Sequence, residues 1–259
     1  MDQNQPTIGT RLWSRLRWSV GMLCLAGCTA LRPTPVPMAI VRYAHPGAQR
    51  PCCLIVCLPG RWDRALQYET EQLVQAVRDA GIWADMVAVE AHYGYYAKRT
   101  VVTRLREDVI APALAQGYTQ IWLVGVSMGG LGALLYVRDY PNDITGVVAL
   151  APFLGDTDVI NEIRAAGGVQ QWQPTAITPG DYQRQLWQWL KMHLARPEAG
   201  AGLYLGYGQQ DRLAPAHQLL ATSLPATRVF TNLGGHDWQT WRQLWQAFLK
   251  QAALPAGSP

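Results

Sequence analysis

The sequence predicts an α/β fold, a mostly parallel twisted sheet with helices on both faces. Two observations carry this prediction. Short apolar runs alternate along the chain with longer segments whose apolar residues recur at helical spacing, which is typical of a parallel sheet covered by helices. The strand-like runs are continuously apolar, as expected of strands that are buried on both faces. With 259 residues, 49% of them apolar, the chain is large enough for one sizeable core.

The first 27 residues are predicted to be a secretory signal peptide. Three arginines precede a short apolar run, 20–26, that is too brief to cross a bilayer as a stable anchor. The run ends in Leu-Ala-Gly-Cys, which resembles the lipobox of bacterial lipoproteins, where cleavage occurs just before a lipid-carrying cysteine. This resemblance implies that residues 1–27 are a lipoprotein signal peptide and that the mature chain starts at Cys28. In the family pattern, a residue other than Asp after the cysteine, here Thr29, favours delivery to the outer membrane. An ordinary signal peptide or an uncleaved anchor is the alternative.

Residues 28–37 are predicted to be a proline-rich, extended tether, because their prolines prevent a continuous hydrogen-bond ladder. The folded domain is expected to occupy residues 38–259. Removal of the signal peptide, with its three arginines and one aspartate, lowers the formal net charge from +4 to +2. A charge that small, without a run of basic residues, argues against nucleic acid or another polyanion as a partner.

From residue 38 to the carboxyl terminus, the sequence predicts a series of strands and helices. About fifty residues separate the fourth and fifth buried strands, too many for a simple crossover, so we expect a small helical cap insertion at about 154–201. Pro112 is expected to kink or divide the helix that contains it. The predicted elements are an edge strand at 39–43, buried strands at 53–58, 84–89, 121–126, 145–150, 203–207 and 228–231, and helices at 67–80, 101–115, 181–194 and 238–251.

Three cysteines, Cys52, Cys53 and Cys57, remain if Cys28 carries the lipid. Alternate residues of a strand face opposite sides, so Cys53 and Cys57 are expected to share one face while Cys52 points away. Their expected role is that of small buried hydrophobic residues. The strand does not supply metal ligands at a suitable spacing, and the sequence predicts neither a metal nor an organic cofactor.

The segment Gly125-Val126-Ser127-Met128-Gly129 fits the nucleophile elbow G-x-S-x-G, with the required strand before it and helix after it. The serine of this motif occupies a strained turn, so the residues two before and two after it must be small to let strand and helix pass closely. The turn places the hydroxyl beside a helix amino terminus. Ser127 is therefore the predicted nucleophile.

A serine nucleophile needs a base, and His236 is the predicted one. It follows the last predicted strand, at the sheet edge where parallel α/β proteins assemble their sites. Asp211 follows the preceding strand and is predicted to orient this histidine, with Asp156 as a second choice. Asp237 is adjacent to His236 in the sequence, and the side chain of an adjacent residue rarely bends back to contact the same ring. The remaining histidines, expected on the surface, in the cap or in the core, are His45, His92, His193 and His217.

The order Ser127, Asp211, His236 and the alternation of strands and helices over residues 50–252 resemble those of an α/β-hydrolase. Such enzymes pass through an acyl-enzyme formed on the serine. The resemblance implies the α/β-hydrolase fold, in which the interval at 154–201 would be the cap. It also implies an oxyanion hole, in which two backbone N–H groups hold the negative oxygen of the tetrahedral intermediate.

Met128, the residue after the nucleophile, would give the first of these N–H groups. The second would come from the loop after the strand at 53–58, where Pro59 replaces the histidine common in the family's His-Gly turn. Either Arg61 or Trp62 is then the donor, and Arg61 is favoured. Three roles are expected as alternatives for the Arg61 side chain: it would attract an acidic substrate, form a salt bridge to Asp63, or be solvated.

Aromatic residues near the same sheet edge are predicted to bind substrate. Trp62 and the loop at 92–96, with Tyr93 and Tyr95, would line the acyl or alcohol pocket, while packing under the cap is the alternative. Further aromatic residues would form an apolar entrance suited to acyl chains or aromatic esters, namely Trp172, Trp187 and Trp189. Packing in the core is the alternative, because aromatic residues at helical spacing more often belong to the core.

The function predicted from these features is that of an envelope-anchored serine hydrolase, esterase-like or lipase-like. Its partners would be a small-molecule or lipid ester and the membrane, which it reaches through lipidated Cys28. Its location would be the bacterial cell envelope, on the outer membrane facing the periplasm. The same triad would serve an acyltransferase or a peptidase, and a non-catalytic lipid-anchored binding protein with a hydrolase shell is the alternative from another class. The sequence does not predict the oligomeric state.

Overall fold

The computed structural model describes residues 32–47, 49, 51–195, 201–251 and 254. The predicted signal peptide and Cys28 lie outside these residues. The strands of the structure form one sheet. Each predicted strand is present, and its first and last residues agree with the prediction to within two residues. The strands are β1 Ile40–Tyr43, β2 Cys53–Leu58, β3 Ala84–Val89, β4 Gln120–Val126, β5 Gly146–Leu150, β6 Gly202–Gly208 and β7 Val229–Asn232.

The sheet order is β1-β3-β2-β4-β5-β6-β7. The edge strand β1 pairs antiparallel with β3, and all other pairs are parallel, with Val56 of β2 opposite Leu123 of β4. Successive side chains of β2 enter different cores, because a strand alternates its faces. Leu54, Val56 and Leu58 belong to one core cluster, and Cys53, Ile55 and Cys57 belong to the cluster on the opposite face.

The cysteine prediction is confirmed, because Cys53 and Cys57 are buried on the same face while Cys52 is exposed. Burial raises the pKa of the Cys53 thiol to about 12. Burial likewise raises the pKa of Cys57 well above its ordinary value. Both thiols are therefore protonated at neutral pH and pack as small apolar groups.

Helices cover both faces of the sheet. Three of them, at 67–70, 73–79 and 238–251, bury apolar side chains in the cluster that contains Cys57, and the others bury theirs in the cluster on the opposite face. No helix among the described residues combines the length and the apolarity needed to cross a membrane. The helices are α1 Gln67–Thr70, α2 Leu73–Asp79, α3 Tyr93–Ala97, α4 Val101–Leu105, α5 Ala111–Ala115, α6 Met128–Asp139, α7 Thr157–Ala165, α8 Tyr182–Leu194, α9 Ala214–Ala221 and α10 Trp238–Gln251.

Two predicted helices are divided. The segment at 67–80 breaks between α1 and α2, where Gln72 adopts a left-handed conformation with φ 64°. The segment at 101–115 contains a π-helical turn, Arg106–Ile110, directly before α5. The N–H of Ala111 bonds to Arg106, five residues back. This wider turn accommodates Pro112, which has no N–H to continue the α-helical pattern.

The described part of the predicted tether, residues 32–37, lies against the domain. His92 Nδ1 accepts from the N–H of Gly94, so its Nε2 donates to the carbonyl of Pro33 at 3.0 Å. The hydroxyl of Tyr95 donates to the carbonyl of Pro35 at 2.8 Å. The carbonyls of Pro33 and Pro35 therefore accept hydrogen bonds from His92 and from Tyr95 of the folded domain.

The predicted cap interval contains α7 and α8. The side chain of Asp181 caps α8 by accepting from the N–H of Arg184, whose guanidinium also pairs with Glu162 of α7. The expectation that Trp172 and Trp187 line an entrance is wrong, because they are 2% and 0% exposed in the core. Their apolar rings join the core under the cap, where the Trp187 indole N–H finds a carbonyl acceptor.

Candidate active site

Ser127 occupies the sharp turn between β4, which ends at Val126, and α6, which begins at Met128. Its backbone angles are φ 53° and ψ −113°, a region disfavoured for residues with a Cβ. The neighbouring strand end holds this conformation. The N–H of Ser127 donates to the carbonyl of Leu150, and its own carbonyl accepts from the N–H of Phe153, both at 2.9 Å.

The glycines of the motif allow close backbone contact on both sides of Ser127. A Cβ on Gly125 would lie 2.2 Å from the carbonyl oxygen of Gly129, and a Cβ on Gly129 would lie 2.0 Å from that of Leu58. Neither backbone oxygen is able to rotate away, so only glycine fits. A Cβ on Gly60, in the loop after β2, would lie 3.7 Å from the Cβ of Ser127. This loop is therefore directly beside the serine.

The structure brings together the three side chains predicted to form the triad. His236 Nε2 lies 2.9 Å from Ser127 Oγ, and His236 Nδ1 lies 2.7 Å from Asp211 Oδ2. A carboxylate only accepts hydrogen bonds, so Nδ1 carries the proton and Nε2 is free to accept from the hydroxyl. The line has the geometry needed to activate a serine, and the catalytic roles of its members remain predictions.

Asp211 is held as a carboxylate by its neighbours. Its side chain is fully buried, and Oδ1 accepts from the N–H of Leu213 at 2.8 Å. Burial alone would raise the pKa of Asp211, but the hydrogen bonds from His236 and Leu213 outweigh it and hold the pKa below its ordinary value. The charged form that stabilises an imidazolium is thus present at neutral pH.

The other two aspartates considered for this role are engaged elsewhere. Asp156 is exposed at the start of α7, where its Oδ2 accepts from Gln183 Nε2 at 2.7 Å. Asp237 accepts from the N–H of Thr240 at 2.9 Å and so caps the first turn of α10. In the structure Asp211 is the carboxylate that contacts His236.

The predicted oxyanion donors lie on the two sides of Ser127. Met128 is the first residue of α6, so its N–H has no helical acceptor four residues back. Across from it, the N–H of Asp63 donates to the carbonyl of Gly60 at 3.2 Å and closes a turn around Arg61 and Trp62. The N–H of Arg61 is not used in that bond. Its role as the second donor remains a prediction.

Asp63 joins this loop to the segment that carries His236. Its Oδ1 accepts from the indole N–H of Trp238 at 3.2 Å, and its Oδ2 lies 2.3 Å from the position of a Cβ on Gly60. The carboxylate thus occupies the space that the glycine leaves open. Within the described part of the chain it forms no salt bridge with Arg61, which excludes that one of the alternatives considered for this arginine.

The predicted substrate-binding aromatics divide into two groups. The Arg61 guanidinium lies 4.9 Å from the ring centroid of Trp62 and 4.5 Å from that of Tyr93, and Trp62 is 65% exposed. Tyr95 is buried under residues 32–37, so its predicted place in the pocket is wrong. The reason is that the predicted loop forms α3, and residues two apart on a helix point in nearly opposite directions.

His217 is a buried group beside the site whose position the sequence did not indicate. It belongs to α9, is 0% exposed, and its Nε2 lies 2.9 Å from the carbonyl oxygen of Pro152. Burial lowers the pKa of His217 to about 4, and the charge of His236 acts in the same direction. The hydrogen bond to Pro152 and the charge of Asp211 raise this pKa, but they do not outweigh burial. The ring is therefore neutral at neutral pH. A core position was one of the three expected for this histidine, but the sequence did not indicate that it would lie beside Asp211.

Comparison with known families gives one partial match. The sequence model of a family described as "Serine aminopeptidase, S33" matches residues 101–192. That segment contains Ser127 but neither Asp211 nor His236. No curated protein matches the chain. Among the described residues, no group of three histidine, cysteine, aspartate or glutamate side chains is placed to hold a metal ion.

Several solved structures are similar over most of the chain. A ferulic acid esterase has a TM-score of 0.57 and 13% identity, covering 82% of this chain and 97% of its own. Est1E from Butyrivibrio proteoclasticus has a TM-score of 0.57 and 15% identity, covering 82% and 91%. The S-formylglutathione hydrolase FrmB from Staphylococcus aureus has a TM-score of 0.54 and 13% identity, covering 85% and 98%. At these identities the likeness concerns the fold, and the predicted fold class is confirmed.

Proposed function

We propose that this chain, whose fold is that of the α/β-hydrolases, is a serine hydrolase that cleaves carboxylic esters. A fold of this kind carries many activities, so the fold does not choose the chemistry. The observation that carries the proposal is the line from Ser127 through His236 to Asp211, with distances of 2.9 and 2.7 Å. A strained serine, a correctly protonated imidazole and a buried carboxylate together serve acyl transfer.

In the first half of the reaction, Ser127 Oγ bonds to the ester carbonyl carbon while its proton passes to His236 Nε2. The carbonyl oxygen becomes negative and accepts hydrogen bonds from the N–H groups of Met128 and Arg61. Asp211 stabilises the imidazolium without taking its proton. The carbon–oxygen bond to the alcohol then breaks, and His236 gives the proton to the departing oxygen.

In the second half, water replaces the alcohol beside His236. Its proton passes to Nε2 as its oxygen bonds to the acyl carbon, which gives a second tetrahedral intermediate in the same oxyanion hole. The bond to Ser127 Oγ breaks, the serine regains a proton from His236, and the carboxylic acid leaves. The residues described here supply every proton transfer of this cycle.

The names of the similar proteins favour ester cleavage. Two solved structures with this fold are titled ferulic acid esterase and S-formylglutathione hydrolase. The second candidate function is that of a peptidase, which the aminopeptidase description of the family matching residues 101–192 favours. An acyltransferase or a non-catalytic binding protein with the same shell are further alternatives, and the experiment below separates them.

A fluorophosphonate probe is expected to label the purified protein and not its Ser127→Ala variant, because the probe reacts only with an activated serine. Nitrophenyl esters of increasing chain length and aminoacyl nitroanilides, compared by kcat/KM, then rank esterase against peptidase. Adding alcohols as alternative acyl acceptors detects a transferase. An unlabelled parent protein, or equal labelling of Ser127→Ala, would contradict the proposal and favour a binding protein.

We also propose that lipidated Cys28 anchors the protein in a bacterial cell envelope, on the outer membrane facing the periplasm. The Leu-Ala-Gly-Cys sequence supports this, and ester lipids would then be within reach. Residue 32 is already attached to the domain by an ion pair with Glu90. Four extended residue steps span at most about 14 Å, so the domain would lie close to the bilayer.

For this anchor, the Cys28→Ser variant is expected to lose the acyl mass and to remain unprocessed or to leave the membrane fraction. Intact-mass measurement of the protein made in a bacterium with lipoprotein processing checks it, and the matched control is Cys52→Ser, the exposed cysteine of the domain. A parent protein that carries no acyl mass and starts elsewhere than at Cys28 would refute the anchor.

A further inference from the structure

Arg61 presents an unpaired cation on the loop that lies beside Ser127. Its guanidinium packs against the rings of Trp62 and Tyr93, at 4.9 and 4.5 Å from their centroids. Among the described residues no carboxylate lies within ion-pair distance of it. Both Arg61 and Trp62 are exposed, so a solute has direct access to the charge.

The position of this cation relates it to Ser127. Arg61 follows Gly60, and a Cβ on that glycine would be 3.7 Å from the serine Cβ. Tyr93 opens the helix that follows β3, at the same edge of the sheet. A molecule bound at Ser127 would therefore lie next to the loop that carries this guanidinium.

The carboxylates of the surrounding loops have other partners. Asp63 accepts from the indole N–H of Trp238, and Asp156 accepts from Gln183 Nε2. Neither carboxylate forms an ion pair with Arg61. An aromatic ring is not a conventional hydrogen-bond acceptor, so the two aromatic contacts of Arg61 leave the N–H groups of the guanidinium available to a planar, bidentate acceptor such as a carboxylate.

We propose that Arg61, packed against Trp62 and Tyr93, binds a negatively charged group of the substrate, so that the preferred esters are anionic. The inference rests on the proposed ester hydrolysis and adds the substrate class. The charged group belongs to the acyl or to the alcohol part, and an aromatic ring beside it would pack on exposed Trp62.

The test compares an anionic ester with its neutral methyl ester in two pairs. For the acyl side the pair is 4-nitrophenyl hydrogen adipate and its methyl ester, and for the alcohol side it is 3-acetoxy-4-nitrobenzoate and its methyl ester. The ratio of kcat/KM, anionic over neutral, is measured for the parent, for Arg61→Gln and for Arg64→Gln. Arg64 is exposed on the same loop, so its variant loses the same charge outside the proposed subsite.

Arg61→Gln is expected to lower the ratio about tenfold in at least one pair, the size of a charge-assisted hydrogen bond at a partly exposed position. Arg64→Gln is expected to change it less than about twofold, since exposed charges are screened. A ratio unaffected by Arg61→Gln in both pairs, or lowered equally by the two variants, would overturn the subsite. Fluorophosphonate labelling of the parent separates this result from failure of the proposed function, in which labelling is absent.

Discussion

Replacing Asp211 by Asn is expected to lower kcat/KM for esters by about 10⁴-fold, the loss found when a triad histidine is held in its wrong tautomer. The N–H of Leu213 donates to Asp211 Oδ1, so the oxygen of an asparagine amide would occupy that position. Its NH₂ group would then face His236 Nδ1 and require an acceptor there. The imidazole proton would move to Nε2, which could no longer take the proton of Ser127.

Steady-state kinetics with a nitrophenyl ester and the rate of fluorophosphonate labelling measure this loss. Thermal unfolding establishes that the isosteric variant remains folded. Asp156→Asn is the matched control and is expected to stay within about twofold of the parent, because that exposed side chain contacts Gln183 and not His236. A loss below about tenfold for Asp211→Asn, or a larger one for Asp156→Asn, would reject Asp211 as the acid.

The free energy of unfolding is expected to fall by about 3 kcal/mol more in the parent than in His217→Gln as the pH is lowered from 7.5 to 4. Burial lowers the pKa of His217 to about 4, whereas an unfolded histidine has a pKa of about 6.5. Above pH 6.5 the residue is neutral in both states and costs nothing. Between 6.5 and 4 the unfolded chain takes up a proton that the folded chain does not, so stability is lost as the pH falls.

Denaturant unfolding at constant ionic strength, repeated across this pH range, measures the difference. A glutamine amide retains a donor for the carbonyl of Pro152, so the variant removes the titration and keeps the hydrogen bond. The pKa of Asp211 is lowered, so that residue loses its stabilising charge at lower pH in both proteins. Stability curves that run parallel for the parent and the variant would show that His217 does not titrate in this way.

The sequence was sufficient for the fold class and for the elements that build the site. The strands were predictable because burial on both faces requires continuous apolar runs, as in β2, whose bounds match the predicted ones. The elbow was predictable because the strained turn at Ser127 requires glycine at positions 125 and 129. Both positions lie within one five-residue motif, so the sequence alone reveals the requirement. Asp211 and His236 were identifiable because each follows its own strand, and parallel strands end at one edge.

The partners of several other side chains were decided by the tertiary structure alone. Tyr95 packs under residues 32–37, and His217 lies buried beside Asp211. Arg61 packs against Tyr93, while Asp63 accepts a hydrogen bond from Trp238. A pattern along the chain reports the faces and turns of one element, because those depend on residues a few positions apart. Contacts between side chains on different elements depend on which strands lie side by side, and that order is set by the packing of the whole sheet.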